Sequence, residues 1–153
     1  MAGAYYSVRN SQGIATGTSA AKGILMIKAP AAAPMRINKT PTISFDGTSA
    51  TDGKVKVTVH RGGTDGTGSS VTPTAQVGHN PAGVTAPTAK ENYATADIPT
   101  GSTNIFQDDV APYRDGFPLP IAGLVLAPGE ILWVETNSPT AKNARVNFPE
   151  LEV

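Results

Sequence analysis

Residues 54–61 read Lys54-Val55-Lys56-Val57-Thr58-Val59-His60-Arg61, and their strict alternation decides the fold class. Successive side chains on an extended strand point to opposite faces, so Val55, Val57 and Val59 form one apolar row and the polar residues form the other. Working outward, Ile43 and Phe45 alternate with Thr42, Ser44 and Asp46, and Ala144, Val146 and Phe148 with Arg145 and Asn147. Two four-residue runs, Ile24-Leu25-Met26-Ile27 and Ile131-Leu132-Trp133-Val134, lack alternation, as strands covered on both faces do. Asp-Gly steps at 46–47, 52–53, 65–66 and 115–116 supply turns between the runs. Pro30, Pro34, Pro41, Pro118, Pro120, Pro128 and Pro139 belong at strand starts, edges and loops.

These signals predict strands near 4–9, 23–29, 35–45, 54–60, 93–98, 104–107, 117–126, 130–136 and 143–149. The expected class is all-β, a jelly-roll-like antiparallel sandwich, since no long amphipathic helix is available for parallel crossovers. Its expected core holds Ile43, Phe45, Val55, Val57, Val59, Trp133, Val146 and Phe148. At one place two readings stand side by side. Thr88-Ala89-Lys90-Glu91 fits a capping box opening a short helix toward Ala96, while Tyr93 to Ile98 can be read as a strand.

At 153 residues one domain is expected, over 23–153, preceded by a flexible N-terminal arm and linker over 1–22. Within that arm, residues 10–21 are small and polar, too poor in apolar groups to pack. Residues 62–83, rich in Gly, Thr, Ser and Pro, read as a long loop. Tyr5, Tyr6, Val8 and Arg9 form an anchor-like cluster of interface chemistry: two rings, a β-branched side chain and a guanidinium. The segment 1–9 is therefore either a strand offered to a partner's sheet edge or an internal first strand. Tyr113 and Arg114, in a loop, complete the candidate protein-interface residues.

Charge excludes several classes. Twelve basic residues balance twelve acidic ones, and charged residues make up 16% of the chain. Neither nucleic acid nor an anionic membrane would be attracted to such a surface. The absence of Cys removes disulfides, thiolate metal sites and cysteine catalysis. His60 and His79 are too few for a zinc site and read as surface residues. Asp108 and Asp109 with Asp115 could hold calcium only as loop ligands, and solvated carboxylates are the simpler reading. Lys54, Lys56, His60 and Arg61 make a weakly basic strip, readable as a solvated face or as contact with an acidic protein surface. Gly66-Thr67-Gly68-Ser69-Ser70 resembles a phosphate cradle in composition alone, without the Lys and helix it needs. Asn38-Lys39-Thr40 is a formal glycosylation sequon, without weight where no signal peptide is visible. No catalytic residue, cofactor or metal is expected, and no membrane span of about 20 apolar residues is present.

Several stretches together resemble the small virion proteins of tailed bacteriophages, the capsid decoration (cement) or minor head proteins. They are Gly23 to Pro30, Met35-Arg36-Ile37, Ile43 to Ser49, Val55 to Arg61, Phe117 to Pro120, Pro128 to Val134, and the ending Val146 to Glu152. The likeness spans roughly residues 23 to 153. It implies a structural role on the outer surface of a phage head after synthesis in the host cytoplasm. The major capsid protein would be the partner, and self-association, as a homotrimer, is implied too. A lattice of identical sites lets individually modest contacts hold by avidity. The alternative expectation is a receptor- or glycan-binding sandwich from a fibre or tail tip, with amide and aromatic clusters exposed on its loops.

Overall fold

The computed structural model describes residues 3–47, 52–76, 78, 81–94, 99–113 and 115–153. The strands along the chain are β1 (Tyr5–Arg9), β2 (Ile14–Ala15), β3 (Lys22–Lys28), β4 (Met35–Ile37), β5 (Thr42–Phe45), β6 (Val55–Gly62) and β7 (Ser69–Val71). They continue as β8 (Thr74–Ala75), β9 (Thr88–Glu91), β10 (Ser102–Val110), β11 (Phe117–Pro118), β12 (Val125–Leu126), β13 (Ile131–Asn137) and β14 (Asn143–Glu152). No helix occurs among the described residues. The protein is all-β.

The strands form two antiparallel sheets. Sheet A has eight strands, in the order β11-β5-β14-β1-β8, with β2 and β4 paired to opposite ends of β14 and β12 paired to β4, and sheet B has six in the order β10-β6-β13-β3-β9-β7. Four long-range pairings organise the chain: β1 with β14, β3 with β13, β5 with β11, and β6 with β10. Each successive pair lies inside the previous one in sequence, as in a single long hairpin ribbon wrapped until its halves face each other.

Between the sheets lies the main core. Val55, Val57 and Val59 of β6, with Leu25, Ile27, Leu132 and Val134, meet Ile43, Phe45, Val146 and Phe148 from sheet A. The alternating strands are thus inward on one face, as read from the sequence. β3 and β13 are buried along nearly their whole length on both faces. Trp133 is buried but sits apart from the inter-sheet core, on the outer face of sheet B with Met26, Tyr93 and Ile131. Its ring centroid is 4.6 Å from that of Tyr93. The 65–68 segment covers the pair: Tyr93 Oη donates to Asp65 at 3.3 Å, and Lys90 holds Asp65 at 2.7 Å. Gly68 is required there, because a Cβ would lie 2.8 Å from the Tyr93 ring and 2.9 Å from the Glu91 carbonyl.

Several boundaries differ from the sequence reading. Of the two readings of 1–9, the internal first strand is the one present: β1 lies between β14 and β8, and Ala4, Tyr6 and Val8 enter the main core. Residues 10–21 are held by Ile14, which enters the main core from β2 on β14, and by polar contacts. Buried Asn10 donates from Nδ2 to Ala144 O at 3.0 Å and accepts from Val146 N at 2.6 Å, prolonging the β1–β14 ladder with a side chain. Thr16 bonds Ser138 at 3.0 Å, and Gly17 bridges Asn137. The stretch 35–45 is two strands, parted where Asn38 turns to bond Glu150 O and Pro41 lacks an N–H. Likewise 117–126 is interrupted, with Leu119 N bonded to Pro41 O and Gly123 at φ +86°. Thr88 to Glu91 starts no helix; it pairs with Leu25–Lys28 as β9, because that ladder buries Ala89 where a helix of this sequence would bury no stripe. Residues 93–94 are not strand, and 95–98 lie outside the described residues. Within the 62–83 loop, β7 and β8 add short strands to the two sheets.

Candidate functional site

On the outside of sheet A, alternation places Tyr5, Ser7 and Arg9 of β1 and Asn143, Arg145 and Asn147 of β14, with Tyr5 at the far end opposite Glu152. Their chain neighbours Tyr6, Val8, Ala144, Val146 and Phe148 face the core. Register brings Arg9 directly opposite Asn147, and Ser44 of β5 opposite Arg145. Arg9 and Arg145 are therefore diagonal neighbours, with Cα atoms about 7–8 Å apart.

Three hollows open on this face. One of about 500 Å³ is lined by Arg9, Asn147, Ser7, Ser11, Ser70 and Thr74, among others. A second, of about 370 Å³, is lined by Arg145, Asn143, Ser44, Asp46 and Gln12. A third, of about 260 Å³, lies between Tyr5, Asn38, Gln76 and Glu150. Hydroxyls, amides and two guanidiniums dominate these walls. The turn at 11–13 stands between the first two hollows, and it is tied from below. Glu91, buried, accepts from Ser11 N at 2.7 Å and also from the Ser11 hydroxyl. Asn10 holds the other end of the turn through its bonds to β14 and to Gln12 O.

Electrostatics on the face follow from these contacts. Asp46 accepts from Asn143 N at 2.8 Å and from Asn143 Nδ2 at 2.7 Å. The backbone hydrogen bond from Asn143 is the main cause holding its carboxyl below the ordinary range. Tyr5 donates to Glu152 at 3.2 Å, and that hydrogen bond raises its phenol above the ordinary value. Neither Arg9 nor Arg145 has a carboxylate within ion-pair distance among the described residues.

The candidate interface residues are dispersed. Tyr6 and Val8 are core; Tyr5 and Arg9 share the outer face of sheet A; Tyr113 is exposed in the 111–116 loop and lines none of the three hollows. Arg114 and His79 lie outside the described residues. Asn143, Arg145 and Asn147 were missed as site residues, although their alternation with Ala144, Val146 and Phe148 already placed them on an outward row.

The other chemistry-bearing groups have structural partners. Arg61 donates to Glu130 at 2.6 and 2.9 Å and to Val125 O at 3.0 Å. The Arg61 guanidinium, through its hydrogen bonds, holds Glu130 below the ordinary carboxylate range. His60 meets buried Glu135 at 2.9 Å and Ser102 at 3.3 Å, while Ser102 donates to Pro99 O at 2.6 Å. That chain ties β10 to the middle of sheet B and leaves the Ser102 hydrogen on a carbonyl. The basic strip is thus divided, with Arg61 and His60 paired to carboxylates and Lys56 opposite Asp109. Asp108 and Asp109 belong to a strand, not to a loop that could wrap a cation.

An apolar hollow of about 560 Å³ lies elsewhere, lined by Pro30, Ala32, Ala33, Pro34, Val84 and Val125 among others. Among the described residues, no helix is long and apolar enough to cross a membrane. Comparison of the chain with protein-family models, curated proteins and solved structures found no match in any of the three.

Proposed function

We propose that this protein is a structural component of a phage particle, a decoration or cement protein seated on the outer surface of the head. In this reading it clamps neighbouring major capsid subunits and acts as a homotrimer, with no catalytic step and no cofactor. The observation that carries the reading is the architecture. The nested pairing of β1 with β14, β3 with β13, β5 with β11 and β6 with β10 supports a jelly-roll fold, and this fold recurs in viral capsid domains. Each of the stretches that resemble tailed-phage virion proteins includes residues of a strand, among them β3, β5, β6, β13 and β14. A half-exposed Val125 beside the apolar hollow supports the reading further, as a contact surface for a protein partner.

Quantitative mass spectrometry of purified particles that carry the protein tests this. Hundreds of copies per particle, released together with a loss of head stability, are expected. A few copies, or none, overturn the decoration role. Light scattering on the purified chain tests the trimer, and a monomer at high micromolar concentration refutes it.

A further inference from the structure

We propose that the outer face of sheet A binds an acidic glycan, a polyhydroxylated chain bearing carboxylates, in the paired hollows around Arg9 and Arg145. The inference is independent of the capsid reading and gives the glycan alternative a site and a ligand class.

Two features of the face require explanation. The first is its charge. Arg9 and Arg145 are exposed diagonal neighbours without a carboxylate within ion-pair reach among the described residues, so two guanidiniums stand side by side with no protein anion committed to them. Asp46, the acidic group lining the Arg145 hollow, is already held by Asn143. Guanidinium forks match carboxylates bidentately, so a ligand carboxylate is the natural occupant.

The second feature is the fixed turn at 11–13. Two buried polar groups, Asn10 and Glu91, are spent on holding an exposed loop of Ser, Gln and Gly in one conformation. Burying a carboxylate is costly unless it is well bonded, and the bonds here fix the wall between two hollows. Such a wall is preorganised for a ligand.

The surroundings select the ligand class. Asn147, Asn143, Ser7, Ser44 and Thr74 offer mixed donors and acceptors, as ring hydroxyls need. Both main hollows fall within the span of roughly 300–1,000 Å³ usual for small-molecule sites. An acidic peptide is the weaker fit. Peptides gain affinity by adding to a sheet edge, but this face is the outer surface of the sheet, where β14 has neighbours on both sides and β1 is covered by β8 at Tyr6 and Ser7. Only side chains face outward, so a ligand dense in its own polar groups is favoured.

The test uses the purified full chain, with polygalacturonate, neutral dextran and polyglutamate as probes in affinity electrophoresis, followed by calorimetry with galacturonate oligomers. Retardation by polygalacturonate alone is expected. Arg9→Gln and Arg145→Gln should each weaken oligomer binding by about tenfold, and the double variant should abolish it with an unchanged melting temperature. Equal retardation by polyglutamate, no retardation by polygalacturonate, or full binding by the double variant overturns the proposal. The measurement needs no virion, so its failure is distinct from failure of the capsid reading.

Discussion

On the outside of sheet B, Trp133, Tyr93, Met26 and Ile131 are sealed from solvent, whereas on the outside of sheet A Arg9, Arg145, Asn143 and Asn147 stand open to it. Both faces belong to long strands of one sandwich, so backbone geometry does not separate them. The difference lies in every second residue. In β13 the outward positions are Ile131 and Trp133, which must be roofed, and the 65–68 segment roofs them through Tyr93. In β14 the outward positions are Asn143, Arg145 and Asn147, polar side chains that need no apolar roof, and Asn143 is held by Asp46. One face contributes stability; the other is left free to bind.

Removing residues 1–9 tests the connection between the faces and has the largest expected effect. It takes Ala4, Tyr6 and Val8 out of the core and bares the edge of β14. Two side chains of that size are worth about 1.5–3 kcal/mol each on burial, and the loss of the ladder adds to this. The total approaches the roughly 5–15 kcal/mol available to a whole domain. The truncated chain should lose its near-UV circular dichroism and cooperative melting. A truncated chain that melts like the full one would return 1–9 to the status of a partner-seeking arm.

Next comes the roofed face itself. Trp133→Ala should cost about 3–5 kcal/mol by urea denaturation, since the ring is fully buried against Tyr93. In a domain of this size that lowers the melting temperature by about 2–4 °C per kcal/mol. Gly68→Ala should cost less, about 1–3 kcal/mol, because its Cβ meets both the Tyr93 ring and a backbone carbonyl. A neutral Gly68→Ala would mean that the roof is not packed on the ring.

A smaller effect is expected at the Arg61–Glu130 pair. Glu130 is held below its ordinary value of 4.5, so the folded state binds its proton less readily than the unfolded chain does. Its contribution is therefore present above that value and is lost as the pH falls through the lower folded value. Both groups are partly exposed, so the contribution is about 1 kcal/mol or less. Glu130→Gln should flatten the acid limb of a stability–pH curve below pH 4.5. An unchanged acid limb would remove the pair from the stability account. The smallest effect is expected on the open face, where Arg9→Gln and Arg145→Gln should leave stability within about 0.5 kcal/mol. A larger loss would make those residues structural and erase the contrast with sheet B.

Local pattern carries part of this far. The valines at 55, 57 and 59 could face only one way once they lay on a strand, and the unbroken runs at 24–27 and 131–134 announced strands covered on both sides. What covered them was not legible. Tyr93 and Gly68 lie far along the chain from Trp133, in segments with no periodicity of their own. Thr88 to Glu91 satisfied a helix-start pattern, yet the pairing of these four residues with β3 outweighed a cap with no apolar stripe behind it. Residues 10–21 read as too polar to pack, yet Ile14 reaches the main core, and Asn10 and Thr16 fix the stretch through polar contacts.

The sequence by itself determined the strand class, the inward rows and the near-neutral surface, because alternation and charge are properties of neighbouring residues. Only the tertiary structure decided that β1 is an interior strand, that Trp133 lies outside the inter-sheet core, and that Arg9 meets Asn147 beside Arg145. Those facts depend on register between segments more than a hundred residues apart. Register is set by which rows can be buried together, and no local run of residues contains that information.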